Sequence, residues 1–250
     1  MFEDTNRLRF DVPLDEVSRQ WWIERFAEPF GLTPEDVGDL LSRSWTQEKS
    51  MRVTELDGRH ERFSITVDGR FGGGDFWFHA RTLDLRGGFL NADRMFVSEN
   101  RQGSGVGRRF MADAAALGQR VGLAKIRLDS EHIGRYAWLR VGFIPDRGSW
   151  NRLRVELTHR LAAAIPDIGL DRFQQVLVTI NDPKPEAARK LAALRDPVSS
   201  RELFEPDGTP RKVPLGRALF LEVQSNWAGE FDLDDPDSLK LMEEYVGETS

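Results

Sequence analysis

The pattern of apolar and polar positions divides the chain into a helical opening, a strand-rich middle and a largely helical second half. Residues 14–29 and 33–45 read as two helices. The second opens on Thr33-Pro34-Glu35-Asp36, with Thr33 placed to cap it and proline at the first helical position. In the first, Trp21, Trp22, Phe26 and Phe30 recur at i, i+1, i+5 and i+9, a stripe more often core than ligand cage. Leu8–Val12 is the candidate for an early strand. Residues 51–57 and 62–68 read as a hairpin around Asp57-Gly58, and 75–85 and 88–98 as a second around Arg86-Gly87-Gly88. Lys125–Glu131 alternates polar and apolar, as a half-buried strand does. Ile133–Val141 reads as a short helix stopped by Gly142, with Phe143-Ile144 starting another strand. Arg152–Ala164, Asp171–Ile180 and Pro185–Leu194 read as helices, the last two separated by Asp182-Pro183-Lys184-Pro185. A strand-like run returns at Ala218–Val223, and a final helix spans about 237 to 246 behind the aspartates of Asp232–Asp237.

One junction in this pattern carries chemistry. The apolar run Met95-Phe96-Val97 is followed by Gln102-Gly103-Ser104-Gly105-Val106-Gly107, and then by the helical Arg108-Arg109-Phe110-Met111-Ala112. A strand that turns through glycines into a helix presents backbone N–H groups and the positive end of a helix dipole to an anion. Glycine allows close backbone approach and positive φ. The glycines are not a Walker A loop, because no Lys-Ser or Lys-Thr follows them. Nor are they a dinucleotide fingerprint: from Gly103 or Gly105, the third glycine of G-x-G-x-x-G is missing.

The pattern that fits is Q-x-x-G-x-G, formed by Gln102, Gly105 and Gly107. It resembles the acyl-CoA pyrophosphate loop of the GNAT superfamily of N-acetyltransferases. The order downstream, a strand at Lys125–Glu131, a helix and the Gly142-Phe143 step, resembles the same family. The resemblance covers roughly residues 75–145, is weak before them and is absent across 150–212. It implies an α/β fold of the α+β type: a mixed, mainly antiparallel central sheet flanked by helices, with a helical insertion before the last strand. Residues 1–149 would form the core with the acyl-CoA loop at 95–112, 150–212 the insertion, and 213–250 the closing strand and C-terminal helix. The insertion has three open roles: packing over an exposed sheet edge, a lid or wall over an acceptor site, or a homodimer surface.

Composition narrows the partners. With 250 residues, 40% hydrophobic and 30% charged, the chain is an ordinary globular sequence. No apolar run approaches a membrane span, and MFEDTNRLRF lacks the features of a signal peptide. The absence of cysteine excludes disulfides, thiolate metal sites and a cysteine nucleophile, and suits a cytoplasmic location. A net charge of −6 makes general nucleic-acid binding a poor fit. No His, Asp and Glu cluster has metal spacing.

The resemblance implies acyl transfer from acetyl-CoA or another acyl-CoA, used as co-substrate without a metal, to an amine on a small molecule or a protein. Met95, Phe96 and Val97 would pair with the pantetheine arm as a strand does. Gln102, Gly103, Ser104, Gly105, Val106 and Gly107 would hold the pyrophosphate, and Arg108, with Arg101 or Arg109, would add charge. The reaction also needs a base for the ammonium acceptor and a proton source for the leaving thiolate. Here the chain departs from the family. The position of a common tyrosine donor, four residues before Gly142-Phe143, is Trp138, and the position of a glutamate base in some members is Asn91. Tyr136 lies two residues before Trp138, about 200° around a helix. Asp93 shares a strand face with Asn91 and is the base candidate by position, against a bland solvated role. Glu131 and His132 form a second candidate pair, with His132 and Tyr136 at i, i+4, although a histidine at a helix start is often a cap. His79, next to Phe78 on a strand, is ambiguous. Three readings follow: an N-acyltransferase, a fold relative that binds CoA or another pyrophosphate without turnover, and a scaffold turned to a different reaction.

Overall fold

The computed structural model describes residues 1–247 and divides into two compact units. The first comprises residues 1–128 and the segment from Asp232 on; the second is residues 129–231.

The first unit opens with β1 (Leu8–Phe10) and α1 (Glu16–Trp22), whose N-cap Asp15 accepts from the Ser18 amide. A π-helical turn (Ile23–Ala27) and α2 (Glu28–Phe30) extend α1 to Gly31, which adopts φ +64°. In α3 (Pro34–Leu41), Thr33 and Asp36 form a reciprocal capping box behind Pro34, as the sequence signals. Then come β2 (Lys49–Asp57), β3 (Arg62–Arg70), β4 (Phe76–Asp84), β5 (Phe89–Val97), α4 (Val106–Arg120) and β6 (Lys125–Ser130). Both expected hairpins are present: β2 pairs antiparallel with β3, and β4 with β5. The Asp57 carboxylate closes the first turn on the Arg59 and His60 amides, and Asp84 closes the second on the Gly87 amide. β3 and β4 are antiparallel, whereas β1–β2 and β5–β6 are parallel. The architecture is thus mixed α/β, a large and mostly antiparallel sheet flanked by helices.

One face of this sheet builds the core. Trp22 stacks on Phe26 at 4.2 Å and meets Phe63 of β3 edge-on at 4.6 Å; its indole N–H donates to the Leu32 carbonyl. Trp21, Trp22 and Phe26 of the aromatic stripe are therefore core, and Phe30 is half-buried. Farther along, Trp77 of β4 packs on Phe110 of α4 with ring centroids 4.4 Å apart. On the other face, Phe96 stacks on both Phe76 and Phe78, and Phe89 lies opposite Asp84 under the Arg127 guanidinium.

The second unit contains α5 (Gly134–Val141), β7 (Ile144–Pro145), α6 (Arg147–Ala163), α7 (Ile165–Ile168), α8 (Leu170–Ile180), α9 (Ala187–Ala192), β8 (Pro197–Phe204), β9 (Pro210–Pro214), α10 (Leu215–Leu221) and β10 (Trp227–Asp232). Its core is laid down by Trp150, Leu153, Leu157 and Leu161 of α6, Ile180 of α8, Leu191 of α9, and Leu219 and Phe220 of α10. The sequence reading differs from this structure at two places. Residues 150–212 end in the hairpin β8–β9, whose strands begin with Pro197 and Pro210, residues poorly suited to a helix interior. Ala218–Val223, read as a strand, belongs mostly to α10 and the residues just after it. A short apolar run suits a fully buried helix as well as a buried strand, and Leu215, Ala218, Leu219 and Phe220 are all buried. Gly216 lets α10 approach the Leu191 and Ala192 carbonyls of α9; a Cβ there would lie 2.5 Å from both oxygens. The strand that pairs with β7 is β10, antiparallel through Gly229 and Glu230. A buried ion pair, Arg160 Nε to Glu222 Oε2 at 2.5 Å, ties α6 to the end of α10, and Glu222 also accepts from the Ser200 hydroxyl and the Arg201 amide.

The chain then returns to the first unit with α11 (Pro236–Gly247), which packs on α4. The Leu233 amide donates to the Ala124 carbonyl, and the Leu233 side chain fills the space beside Gly118.

Candidate functional site

The glycine loop has the local geometry of an anion cradle. β5 ends at Val97, one 3-10 turn (Glu99–Arg101) follows, and the Gln102 side chain reaches back to donate to the Val97 carbonyl at 3.2 Å. Gly103 and Gly105 both lie in the left-handed region, at φ +82° and +78°, so the chain needs glycine to make this turn. Gly105 is the N-cap of α4 and supplies no side-chain cap. Among the described residues, the amides of Gly105, Val106 and Gly107 have no backbone acceptor. Three N–H groups without backbone acceptors therefore lie at the positive end of a 15-residue helix.

Side chains shape this cradle. The Arg108 guanidinium lies against Gly105, where a Cβ would sit 2.7 Å from its Nε, and it donates to the Tyr245 carbonyl at 3.0 Å while lying over the Tyr245 ring. Arg109 is exposed and donates to the Ser104 carbonyl at 3.4 Å. Arg101 turns away from the loop, to Asp75 at 3.0 Å and over the Phe71 ring. Gly107 has a different reason to be glycine. A Cβ there would stand 3.0 Å from the Met95 sulfur, so the glycine seats α4 directly on β5. Ser104 is exposed, and its hydroxyl donates to the Arg101 carbonyl.

β5 itself changes character halfway along. Its ladder with β4 shifts register between Ala80–Arg94 and Arg81–Ala92, which leaves Asp93 as the extra residue of a β-bulge. Its parallel ladder with β6 joins Phe89–Ala92 to Lys125–Leu128. Within this unit the parallel ladder stops at Ala92, so among its described residues the β5 edge at Asp93–Val97 that faces away from β4 has no strand partner. Met95, Phe96 and Val97 lie on that stretch. At the bulge, Asp93 accepts from Thr82 Oγ1 at 2.8 Å and from the Asn91 amide group, so Asn91 and Asp93 do meet on one face.

Beneath the bulge lie two buried polar residues whose significance the sequence does not announce. His79 is fully buried, stacked on Trp77, and neither ring nitrogen has a hydrogen-bond partner. Burial first, and then the cations of Arg81 and Lys49, hold its pKa well below the usual histidine value, against a smaller opposing pull from the Leu41 backbone. Arg81 is 1% exposed; burial lowers its pKa to about 10, against the opposing pull of Asp93.

In the second unit, Glu131 and His132 are exposed in the turn that precedes α5, and His132 has φ +48°. His132 therefore stands outside the helix, and the i, i+4 argument for a face shared with Tyr136 does not apply. Its carbonyl accepts from the Arg135 amide and the Arg135 guanidinium. Tyr136 is half-buried on α5. The Trp138 indole folds over Gly134, and Gly142 closes the helix at φ +115°. Among the described residues, no three His, Cys, Asp or Glu side chains gather as a metal site, and no helix is long and apolar enough to cross a membrane.

No family model and no curated protein sequence matches this chain. Among solved structures it is similar to a crystal structure of nourseothricin acetyltransferase, at 18% identity and a TM-score of 0.30, over 46% of this chain and 81% of that one. A likeness this distant carries no argument about function.

Proposed function

We propose that the chain is an acyl-CoA-dependent N-acyltransferase of the GNAT type. The observation that carries the reading is the start of α4, which has no side-chain cap, where two left-handed glycines lead into three amides without backbone acceptors, with the Arg108 guanidinium beside Gly105. Such a helix start suits a pyrophosphate. The adjoining β5 edge suits the amides of a pantetheine arm, added as a further strand. In the reaction, the neutral amine nitrogen bonds to the thioester carbonyl carbon, the C–S bond breaks, and the thiolate takes up a proton. Asp93 is assigned as the base that receives the amine's proton, because it stands at the bulge with its carboxylate oriented by Thr82 and Asn91. Water supplies the thiolate's proton, since Trp138 offers no acidic group. The acceptor, a small-molecule or protein amine, is read from the family resemblance.

The test is calorimetric titration with acetyl-CoA and with free CoA, on wild type and on Ser104→Glu. Ser104 is exposed, so the variant adds a like charge beside the phosphates without disturbing packing. Micromolar binding weakened by roughly tenfold or more in the variant supports the reading. A folded wild type that binds neither compound refutes it. A second reading, CoA binding without turnover, is favoured by Trp138 and Asn91 at positions where relatives carry reactive groups. Thiol release from acetyl-CoA across a panel of amines separates the two.

A further inference from the structure

We propose that Arg81 is a positioning residue that clamps the β5 bulge and so shapes the strand edge assigned above to the pantetheine arm. The ligand named here rests on the acyltransferase reading; the clamp itself rests on geometry. One guanidinium nitrogen, Nη1, donates to two carbonyls: Ala80 on β4 at 2.8 Å and Arg94 on β5 at 3.0 Å. These are the residues paired on one side of the register shift, and the extra residue, Asp93, immediately precedes Arg94. A single side chain thus bridges the two strands where their ladder is interrupted, and supplies donors where a bulge leaves backbone groups poorly paired.

Packing alone would not select arginine at this position. The side chain is buried, and its Nε and Nη2 have no hydrogen-bond partner. Burying a guanidinium with unpaired donors opposes folding, and an apolar side chain of similar length would avoid that cost. A local violation of this kind is expected where function sets the residue. The position agrees: the bulge falls one residue beyond Ala92, where the parallel ladder with β6 stops within this unit. It also sets the direction of Asp93. Arg81 touches no substrate in this proposal; it fixes the shape of the strand that would.

The experiment uses the full chain as wild type, Arg81→Met and Arg81→Lys. Methionine keeps length and removes the donors; lysine keeps a charge and donors without the planar fork. Hydrogen exchange of the ligand-free proteins is read for the segment Phe89–Val97, with Lys49–Asp57 of β2 as the internal control. Affinities are measured for CoA and for 3′-phospho-ADP, which retains the pyrophosphate and lacks the pantetheine arm. The expected result for Arg81→Met is at least tenfold faster exchange confined to Phe89–Val97, at least tenfold weaker CoA binding, and 3′-phospho-ADP binding within twofold of wild type. Arg81→Lys should fall between, and it gives the same readouts if Arg81→Met does not fold. Unchanged exchange at β5 overturns the clamp. Equal weakening of both ligands overturns the assignment to the pantetheine edge. A wild type that binds neither ligand refutes the acyltransferase reading instead, and the exchange data then decide the clamp alone.

Discussion

Acidification from pH 7.5 to 5.5 should destabilise the protein through His79. The ring is buried against Trp77 and Phe110, has neither nitrogen in good hydrogen-bond geometry, and feels the cations of Arg81 and Lys49 more than the opposing pull of the Leu41 backbone. In the folded protein it stays neutral, whereas in the unfolded chain it protonates with a pKa of about 6.5. Below that value the unfolded state binds the extra proton, so stability rises with pH across the window. The contribution is therefore complete above the ordinary histidine value and is lost as the pH falls toward the depressed folded value. For one proton, the change between pH 7.5 and 5.5 is at most about 1.4 kcal/mol, or ~3–5 °C in Tm for a chain of this size. His79→Leu removes the titration and two unsatisfied nitrogens together. It should match or exceed wild type at pH 7.5 and should lack this part of the acid loss. Thermal melts of both proteins, followed by tryptophan fluorescence, give the difference directly, because the other titrating groups cancel. If wild type and variant lose stability in parallel between pH 7.5 and 5.5, the buried-neutral assignment of His79 is wrong.

Four further outcomes follow from packing and site geometry. Trp22→Ala should cost roughly 3–5 kcal/mol in denaturant titrations, since it empties the space shared with Phe26 and Phe63 and leaves the Leu32 carbonyl without its indole donor. Gly107→Val should destabilise by about 1–3 kcal/mol by driving a side chain into the Met95 sulfur, with part of the loss recovered in the Met95→Ala background. Glu222→Ala should cost about 3–5 kcal/mol because it strands the buried Arg160 charge, and the Arg160→Met, Glu222→Met double variant should lose much less. Once an acceptor is known, Asp93→Asn should lower kcat by about 10²-fold or more with little change in KM for acyl-CoA, whereas Glu131→Ala and His132→Ala, altering exposed turn residues, should leave kcat within severalfold.

The elements that announce themselves locally were legible in the sequence. Thr33-Pro34 with Asp36 marks the start of α3, the Asp57 and Asp84 turns mark the hairpins, and Gln102–Gly107 marks the turn into α4. What escaped depends on distant partners. The run at Ala218–Val223 has no period long enough to separate a buried helix from a strand, and only its packing against α9 through Gly216 decides. The bulge at Asp93 has no local signature, because Asn91-Ala92-Asp93-Arg94 reads as unbroken strand until β4 is laid beside it. Arg81 and His79 sit at inward positions because Trp77 and Leu83 do, yet Phe76, Phe78 and Ala80 make the opposite face equally plausible from sequence. For His132, helical spacing assumed a helix that begins only at Gly134.

The return of the chain to its first unit has a consequence for the order of events during synthesis. Arg108 is held against the glycine turn by a carbonyl of Tyr245, in a helix that lies on α4, while Leu233 closes the end of α4 beside Gly118. Every residue of the loop has left the ribosome long before these partners exist, because the whole of residues 129–231 is made in between. A nascent chain therefore carries the glycine turn without these partners while residues 129–231 are made, about 5–20 s at ~5–20 residues per second. The contacts that Tyr245 and Leu233 make with α4 thus form only after the second unit has been synthesised.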